Sequence, residues 1–157
     1  MDPRVSLLLE ILDESFDARG WHGTTLRGAL RGLTPRQALW RPSPRRHCIW
    51  DLILHTAYWK YAVRQRLTRG ERGSFPRRPS NWPKLPAKRD AAALKADIAL
   101  LEAEHQALRA VVAGLPSAAL DAPSAKGTWR QREMIHGVAS HDLYHAGQIQ
   151  LLKRLAP

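Results

Sequence analysis

Apolar residues recur at three- and four-residue steps along four segments of this 157-residue chain, and no segment shows sustained period-two alternation. The four segments cover about 3–19, 49–67, 90–112 and 128–155. That spacing is typical of amphipathic helices, so the chain is predicted to be all-α with four principal helices. Its length is close to the commonest domain size, and we therefore expect a single domain over residues 1–157.

Capping signals refine this prediction. Shorter helical pieces are expected between helices 1 and 2, over 24–33 and over Thr34 to Trp40, because Thr34-Pro35 has an N-cap and N1 pattern. Asp90 is predicted to cap helix 3. Thr128 and Gln131 fit the N-cap and N3 positions of a capping box at the start of helix 4.

The connection between helices 2 and 3 is long and irregular. Residues 68–88 contain two glycines and four prolines among many arginines, which ends any helical pattern. A connection of about twenty residues is often functional. It also permits helices 2 and 3 to run parallel, unlike neighbours in a simple up-down bundle.

A single cysteine, Cys48, limits the chemistry of the chain. It excludes an intramolecular disulfide and any CxxC motif, so a metal must be held by His, Asp or Glu. The apolar run from Val5 to Leu9 is interrupted by Glu10 and Asp13, which leaves it too short for a signal peptide or a membrane span. We therefore expect a cytoplasmic protein without membrane association.

Basic residues dominate the charge, with 25 Lys and Arg against 14 Asp and Glu and a formal net charge of +11. Nine of the cations lie between Arg64 and Arg89, together with Glu71, Phe75 and Trp82. Three explanations stay open: a nucleic-acid or other polyanion surface, a solvated cationic loop, or attraction of an acidic small substrate. A disordered basic tail is excluded, since 44% of the residues are hydrophobic.

Two of the seven histidines have the spacing of a helix-borne metal site. His141 and His145 lie at i and i+4, about 40° apart on one helical face. Neutral imidazoles at this spacing can bind one ion, with a third ligand from another element. His55 is the natural third candidate because it lies in the middle of helix 2 among apolar neighbours. The alternative is that all three are hydrogen-bonded core histidines.

The other histidines fit a metal site less well. His136 lies about 140° from His141 around the helix and is expected to miss the site, as a packing or hydrogen-bonding residue. His105 falls on the apolar stripe of helix 3 and is expected in the core or at its boundary. His22 and His47 lie near loop boundaries and have no interpretable spacing.

The segment His141 to Ile149 closely resembles the HxxYHxGQI segment of the DinB/YfiT-like metalloprotein superfamily. Upstream, the segments from Ile49 to His55, from Trp21 to Gly23 and from Leu33 to Pro42 follow in the order found in that family. The resemblance runs from about residue 5 to 155. It implies a four-helix bundle with a long crossover between helices 2 and 3.

The resemblance also implies a divalent metal, zinc, nickel or iron, held by His55, His141 and His145. Relatives include transferases that use low-molecular-weight thiols, such as bacillithiol-dependent enzymes and mycothiol-dependent isomerases, and also metal-dependent hydrolases. A small-molecule substrate, which can be an anionic thiol, and a homodimer are therefore expected. The alternative function is a non-catalytic basic module that binds nucleic acid or another polyanion and contains a structural metal.

Five further residues have a geometric relation to these histidines. Gln148 can hydrogen-bond a ligand or a substrate, or pack between helices. Asp51, one turn before His55, can orient that imidazole or act as an acid near a helix N-terminus. Tyr58 and Tyr144 either line the pocket or pack. Asp142 is turned about 100° from His141, so we do not assign it as a general base.

Overall fold

The computed structural model describes residues 2–68, 70, 73–125 and 127–157. Within these ranges the chain contains six α-helices, one 3-10 helix and no β-strand, which confirms the all-α prediction. In chain order the elements are α1 (Pro3–Phe16), α2 (Leu26–Ala29), α3 (Pro35–Leu39), α4 (Ile49–Leu67), α5 (Ala91–Ala113), the 3-10 helix (Ser117–Asp121) and α6 (Gln131–Leu155). None of the helices in the described ranges is long and apolar enough to cross a membrane.

Most of the predicted helix boundaries agree with the structure. α4 has the predicted limits, and α5 follows Asp90, whose carboxylate accepts a hydrogen bond of 2.9 Å from the Ala93 N–H. At α3, the Thr34 hydroxyl accepts a 3.3 Å hydrogen bond from the Gln37 N–H. α1 ends at Phe16, three residues before the predicted end near Arg19.

The start of α6 differs from the prediction. The capping box assigned to Thr128 and Gln131 is wrong, because α6 begins at Gln131 with Arg130 as its N-cap. Arg130 forms an isolated β-bridge with Pro123, and this pairing keeps the preceding residues outside the helix. Glu133 occupies N3 instead, where its carboxylate accepts a 2.8 Å hydrogen bond from the Arg130 N–H.

Two apolar clusters define the directions of the four long helices. The first cluster joins the N-terminal halves of α4 and α5 to the C-terminal half of α6, through Ile49, Trp50, Ile53, Leu94, Leu101, Ala146 and Ile149. The second cluster joins their opposite ends to α1, through Val63, Leu67, Leu108, Val112, Met134, Ile135, Val138, Val5, Leu9 and Leu12. α4 and α5 therefore run parallel, and α6 runs antiparallel to both.

α1 completes the bundle. Its N-terminal residues belong to the second cluster, whereas Phe16 belongs to the first, so α1 runs in the same direction as α6. α1 and α4 each pack against both α5 and α6. The parallel pair of α4 and α5 requires a connection that returns along the whole bundle, and the segment 68–90 supplies it.

A charged pair lies in the middle of the bundle, where the sequence pattern gave no indication of one. The Lys60 ammonium on α4 and the Asp142 carboxylate on α6 form a salt bridge, and both side chains are fully buried. Lys60 Nζ is also 3.3 Å from Nδ1 of the buried His105 on α5 and 4.8 Å above the Phe16 ring. Burial, followed by the charge of Lys60, lowers the pKa of His105 to about 3. The expectation of a core position for His105 is confirmed.

Replacing Asp142 with Ala leaves the Lys60 ammonium buried without a counter-charge. The free energy of unfolding of the metal-free protein is expected to fall by about 3–5 kcal/mol, as measured by urea denaturation. The double variant Lys60→Met/Asp142→Leu is expected to recover most of this loss. The control is Glu102→Ala, which removes an exposed pair with Arg27 and is expected to cost under about 1 kcal/mol. Equal losses in the free energy of unfolding of Asp142→Ala and Glu102→Ala would contradict the assignment of Lys60 and Asp142 as a buried ion pair.

Candidate metal centre

The three histidines predicted from the sequence converge on one point between α4 and α6. Nε2 of His141 lies 3.1 Å from Nε2 of His55 and 3.0 Å from Nε2 of His145. The three residues each offer one nitrogen, and these atoms all lie within 4.8 Å of one another. Two nitrogens that each bind a single ion at about 2.1 Å lie roughly 3.0 Å apart at octahedral angles and roughly 3.5 Å apart at tetrahedral angles.

Hydrogen bonds at the opposite ring nitrogen orient two of these imidazoles. His55 Nδ1 donates to the main-chain carbonyl of Asn81 at 2.6 Å, and His145 Nδ1 donates to Gln148 Oε1 at 2.7 Å. Because a carbonyl oxygen only accepts, each proton resides on Nδ1, and each Nε2 presents a lone pair to the centre. This is the arrangement that metal-binding histidines use.

Burial keeps the three rings neutral at pH 7. It is the largest cause lowering the pKa of His55 to about 4 and that of His141 to about 3, with further contributions from neighbouring imidazoles. The pKa of His145 is also lowered, again chiefly by burial. Neutral imidazoles are the form that binds a divalent cation.

The three Nε2 atoms give a further reason to expect a cation, which does not depend on the other ring nitrogen of His141. Its Nδ1 is buried and has no hydrogen-bond partner in the described part of the chain. A proton on Nδ1 would leave three Nε2 lone pairs facing one another, whereas a proton on Nε2 could satisfy only one of the other two rings. A cation between the three nitrogens would satisfy all three lone pairs. The residues therefore fit a divalent metal.

The crossover contributes two residues that sequence reasoning missed. Asn81 has a left-handed φ of 67°, which Asn tolerates better than most residues, and its side-chain oxygen accepts a 2.9 Å hydrogen bond from Trp59 Nε1. Trp82 stacks on the His55 ring at 3.8 Å and on the His47 ring at 3.6 Å. The available sequence signal was an Asn-Trp pair inside the proline-rich connection.

A cavity of about 800 Å³ opens on the centre and contains all three histidines in its wall. Arg46 and His47 lie on one side of it, and Tyr144, Gln148 and Leu151 lie on the other. No Asp or Glu lines it among the described residues. A ligand that reaches the centre from this side meets the Arg46 guanidinium beside apolar and aromatic surface.

Of the alternatives for Gln148, the structure shows the hydrogen bond to a predicted ligand, His145. Of the two for Asp51, the acid near the helix N-terminus is confirmed, whereas the orienting role is wrong. The Asp51 carboxylate accepts hydrogen bonds from the Cys48 N–H at 2.9 Å and from Arg41 at 2.6 Å, so it caps α4 and neutralises a loop arginine. The main-chain carbonyl of Asn81 supplies the hydrogen bond to His55 instead.

The structure distinguishes the remaining candidate residues by their positions. Tyr144 lines the cavity, but Tyr58 packs on Phe75 and lines a different one. Asp142 is buried in the bundle interior and does not belong to the cluster of three histidines. His136 misses the centre as predicted, but it is exposed rather than packed, because it lies on the solvent face of α6.

Most described features of the basic segment serve the fold. Three of its cations form ion pairs with carboxylates on α5 or at its N-cap: Arg64 with Glu104, Arg77 with Asp97, and Lys88 with Asp90. Phe75 is buried, and Trp82 is enclosed between two imidazoles. Arg69, Glu71 and Arg72 lie outside the described residues.

The fold and the centre define an all-α protein whose bundle brings together three neutral histidines from two antiparallel helices. The model of the DinB superfamily matches residues 20–149, which is most of the chain and includes all three histidines. The chain belongs to the DinB superfamily. A comparison with curated proteins finds no match.

Replacing Gln148 with Leu removes the acceptor that orients His145. Metal affinity, measured by competition with a chromophoric chelator, is expected to fall about 10- to 100-fold. Gln148→Glu retains an acceptor for the Nδ1 proton and is expected to keep most of the affinity. Gln150→Leu is the control, since that amide contacts Thr24 on the other face of α6. Wild-type affinity in Gln148→Leu would contradict the role of this hydrogen bond.

The metal-free protein is expected to lose stability as the pH falls from about 6.5 to about 4. His55, His105 and His141 stay neutral in the fold because burial lowers the pKa of each, to about 4, 3 and 3 respectively. The unfolded chain binds more protons in this window, so the free energy of unfolding decreases on acidification. Urea denaturation at several pH values measures how steeply the free energy of unfolding changes with pH.

His105→Gln is expected to make this pH dependence shallower, because one of the buried neutral imidazoles is removed without touching the metal centre. His136→Gln is the control and is expected to leave the slope unchanged, since His136 is exposed. A free energy of unfolding that stays constant across the window would show that these imidazoles are not held neutral.

Proposed function

We propose that this protein is a divalent-metal-dependent enzyme that acts as a thiol-dependent S-transferase or as a hydrolase. The observation that carries the proposal is the convergence of three neutral Nε2 atoms, two of them fixed by hydrogen bonds at Nδ1. Three protein ligands leave coordination positions open, which is typical of catalytic rather than structural sites. Zinc, nickel and ferrous iron all suit this set of donors.

His55, His141 and His145 would hold the ion on the wall of the large cavity. When bound, a divalent ion lowers the pKa of water or of a thiol and so makes a nucleophile available near neutral pH. The Asn81 carbonyl and the Gln148 amide keep the imidazoles in the required tautomer. Trp82 covers one face of His55 and limits access of water from that side.

The thiol of the chain itself does not suit the role of nucleophile. Burial, the largest cause, raises the pKa of the lone thiol, Cys48, to about 11, and the residue lies within the first apolar cluster. An external low-molecular-weight thiol or water therefore remains as the nucleophile. In transfer, the thiol loses its proton to solvent, its sulfur bonds to the electrophilic atom, and the leaving group departs with the electron pair of the broken bond.

The rim of the large cavity supports an anionic thiol as the cosubstrate. Arg46 and His47 lie beside the centre, and no carboxylate lines the cavity among the described residues. Carboxylates or phosphates on a small thiol would be attracted to this rim.

The alternative, a basic module that binds nucleic acid, has less support. The two aromatic residues of the basic segment are buried or enclosed by histidines, so neither offers a free face for base stacking. DNA affinity that depends on salt and survives substitution of all three histidines would favour this alternative. A homodimer and a cytoplasmic location stay predictions.

Metal analysis of purified protein tests the centre. Wild-type protein is expected to bind close to one divalent ion per chain, and His141→Ala is expected to lose it. His136→Ala is the matched control, because it removes an exposed histidine from the same helix. Absence of metal from the wild type after loading with zinc, nickel or ferrous iron would overturn the proposal.

Activity is tested by screening metal-loaded protein with small thiols and with electrophiles or esters. The proposal expects turnover that is lost in His141→Ala and retained in His136→Ala. Consumption of the thiol together with the electrophile would identify a transferase, whereas product formation without thiol would identify a hydrolase. Turnover that persists in His141→Ala would contradict a role for this centre.

A further inference from the structure

A second cavity, of about 500 Å³, reaches the same centre from the other side. It shares His55, His141 and Trp82 with the large cavity, so the two cavities meet at the histidines. The rest of its wall comes from α4, from Asn81 of the crossover, from the N-terminal half of α6 and from Trp129, which precedes α6. Its apolar lining includes Trp59, Val63, Trp129, Met134 and Val138.

The polar groups of this second cavity are largely engaged with the protein. Trp59 Nε1 donates to the side-chain oxygen of Asn81, and the Glu133 carboxylate accepts from the Arg130 N–H. The Arg66 guanidinium lies over the Trp59 ring, 5.6 Å from its centroid. The surface left for a ligand is therefore largely apolar and aromatic, and its two charged residues, Arg66 and Glu133, have opposite signs.

Trp129 gives this cavity an uncovered aromatic wall. Its side chain is 64% exposed although it belongs to the cavity lining. The backbone of Trp129 is anchored, since its carbonyl accepts a 2.9 Å hydrogen bond from the Ser124 N–H. An exposed indole beside a concave apolar surface is a feature of ligand sites.

We propose that this second cavity binds a small neutral molecule with a flat apolar group, which packs against Trp59 and Trp129. The His55 and His141 end of the cavity places the reactive end of that molecule at the centre. This last step rests on the proposed function, in which the molecule is the electrophile and the anionic thiol occupies the large cavity. The two reactants thus approach the centre from opposite sides.

Gly137 offers a way to block the cavity without disturbing the fold. It lies on α6 in the cavity wall, and a Cβ added there meets no atom within 4 Å. Leu at this position would occupy the cavity, and replacing a helical Gly also favours the helix. Gly147→Leu is the matched control: its position is equally open and on the same helix, but it lines a different cavity with Thr24.

The test uses the neutral fluorescent probe N-phenyl-1-naphthylamine with metal-free and metal-loaded protein. Saturable binding of one probe per chain is expected in both forms, with the fluorescence increase of an apolar environment. Gly137→Leu and Trp129→Ala are expected to weaken binding about tenfold. Gly147→Leu and Trp21→Ala, which changes a fully exposed indole elsewhere, are expected to bind as the wild type does.

Non-saturable binding, or equal affinity in Gly137→Leu and Gly147→Leu, would overturn the proposal. Light scattering tests whether a second copy of the chain fills the cavity instead. A wild-type dimer that dissociates in Gly137→Leu would show this, and it would also overturn the proposal. Failure of the proposed function is distinguishable, because a protein without metal affinity would still bind the probe with this pattern of variants.

Discussion

The hydrogen bond from His55 Nδ1 to the main-chain carbonyl of Asn81 connects the crossover to α4 and fixes the tautomer of the His55 imidazole. The left-handed backbone of Asn81 aims this carbonyl at the ring, and the adjacent Trp82 covers the ring face. The crossover therefore does more than join two parallel helices. It determines which nitrogen of His55 faces His141 and His145, and its Trp82 lines both cavities that reach them.

An ion pair in the bundle core also holds α4 and α6, the two helices that contain the histidines, in position. The buried pair of Lys60 and Asp142 joins α4 to α6 close to the histidines, since Asp142 directly follows His141. A buried ion pair contributes little net stability relative to apolar residues, but breaking it is costly. We interpret the pair as a device that fixes the relative positions of α4 and α6, and hence the spacing of the three Nε2 atoms.

Sequence periodicity was sufficient for the long helices and for the pairing of His141 with His145, because both depend on local spacing along a helix. His55 lies on another helix, and its apolar neighbours and the family resemblance made it the third candidate. The boundary of α6 was misplaced, since it is set by a bridge between Pro123 and Arg130 that helix periodicity does not reveal. One of the two roles considered for Asp51, the orientation of His55, belongs to Asn81, because the crossover approaches His55 through a contact 26 residues away in the chain. The stacking of His47 on Trp82 could not be predicted from the sequence for the same reason.

The central claim is that His55, His141 and His145 bind one ion through Nε2. X-ray absorption spectroscopy of the zinc-loaded protein tests it directly. The account predicts three imidazole nitrogens at about 2.0 to 2.1 Å, accompanied by one or two oxygen ligands and by the multiple scattering typical of histidine rings. A first shell composed of oxygen atoms alone, without imidazole scattering, would contradict it.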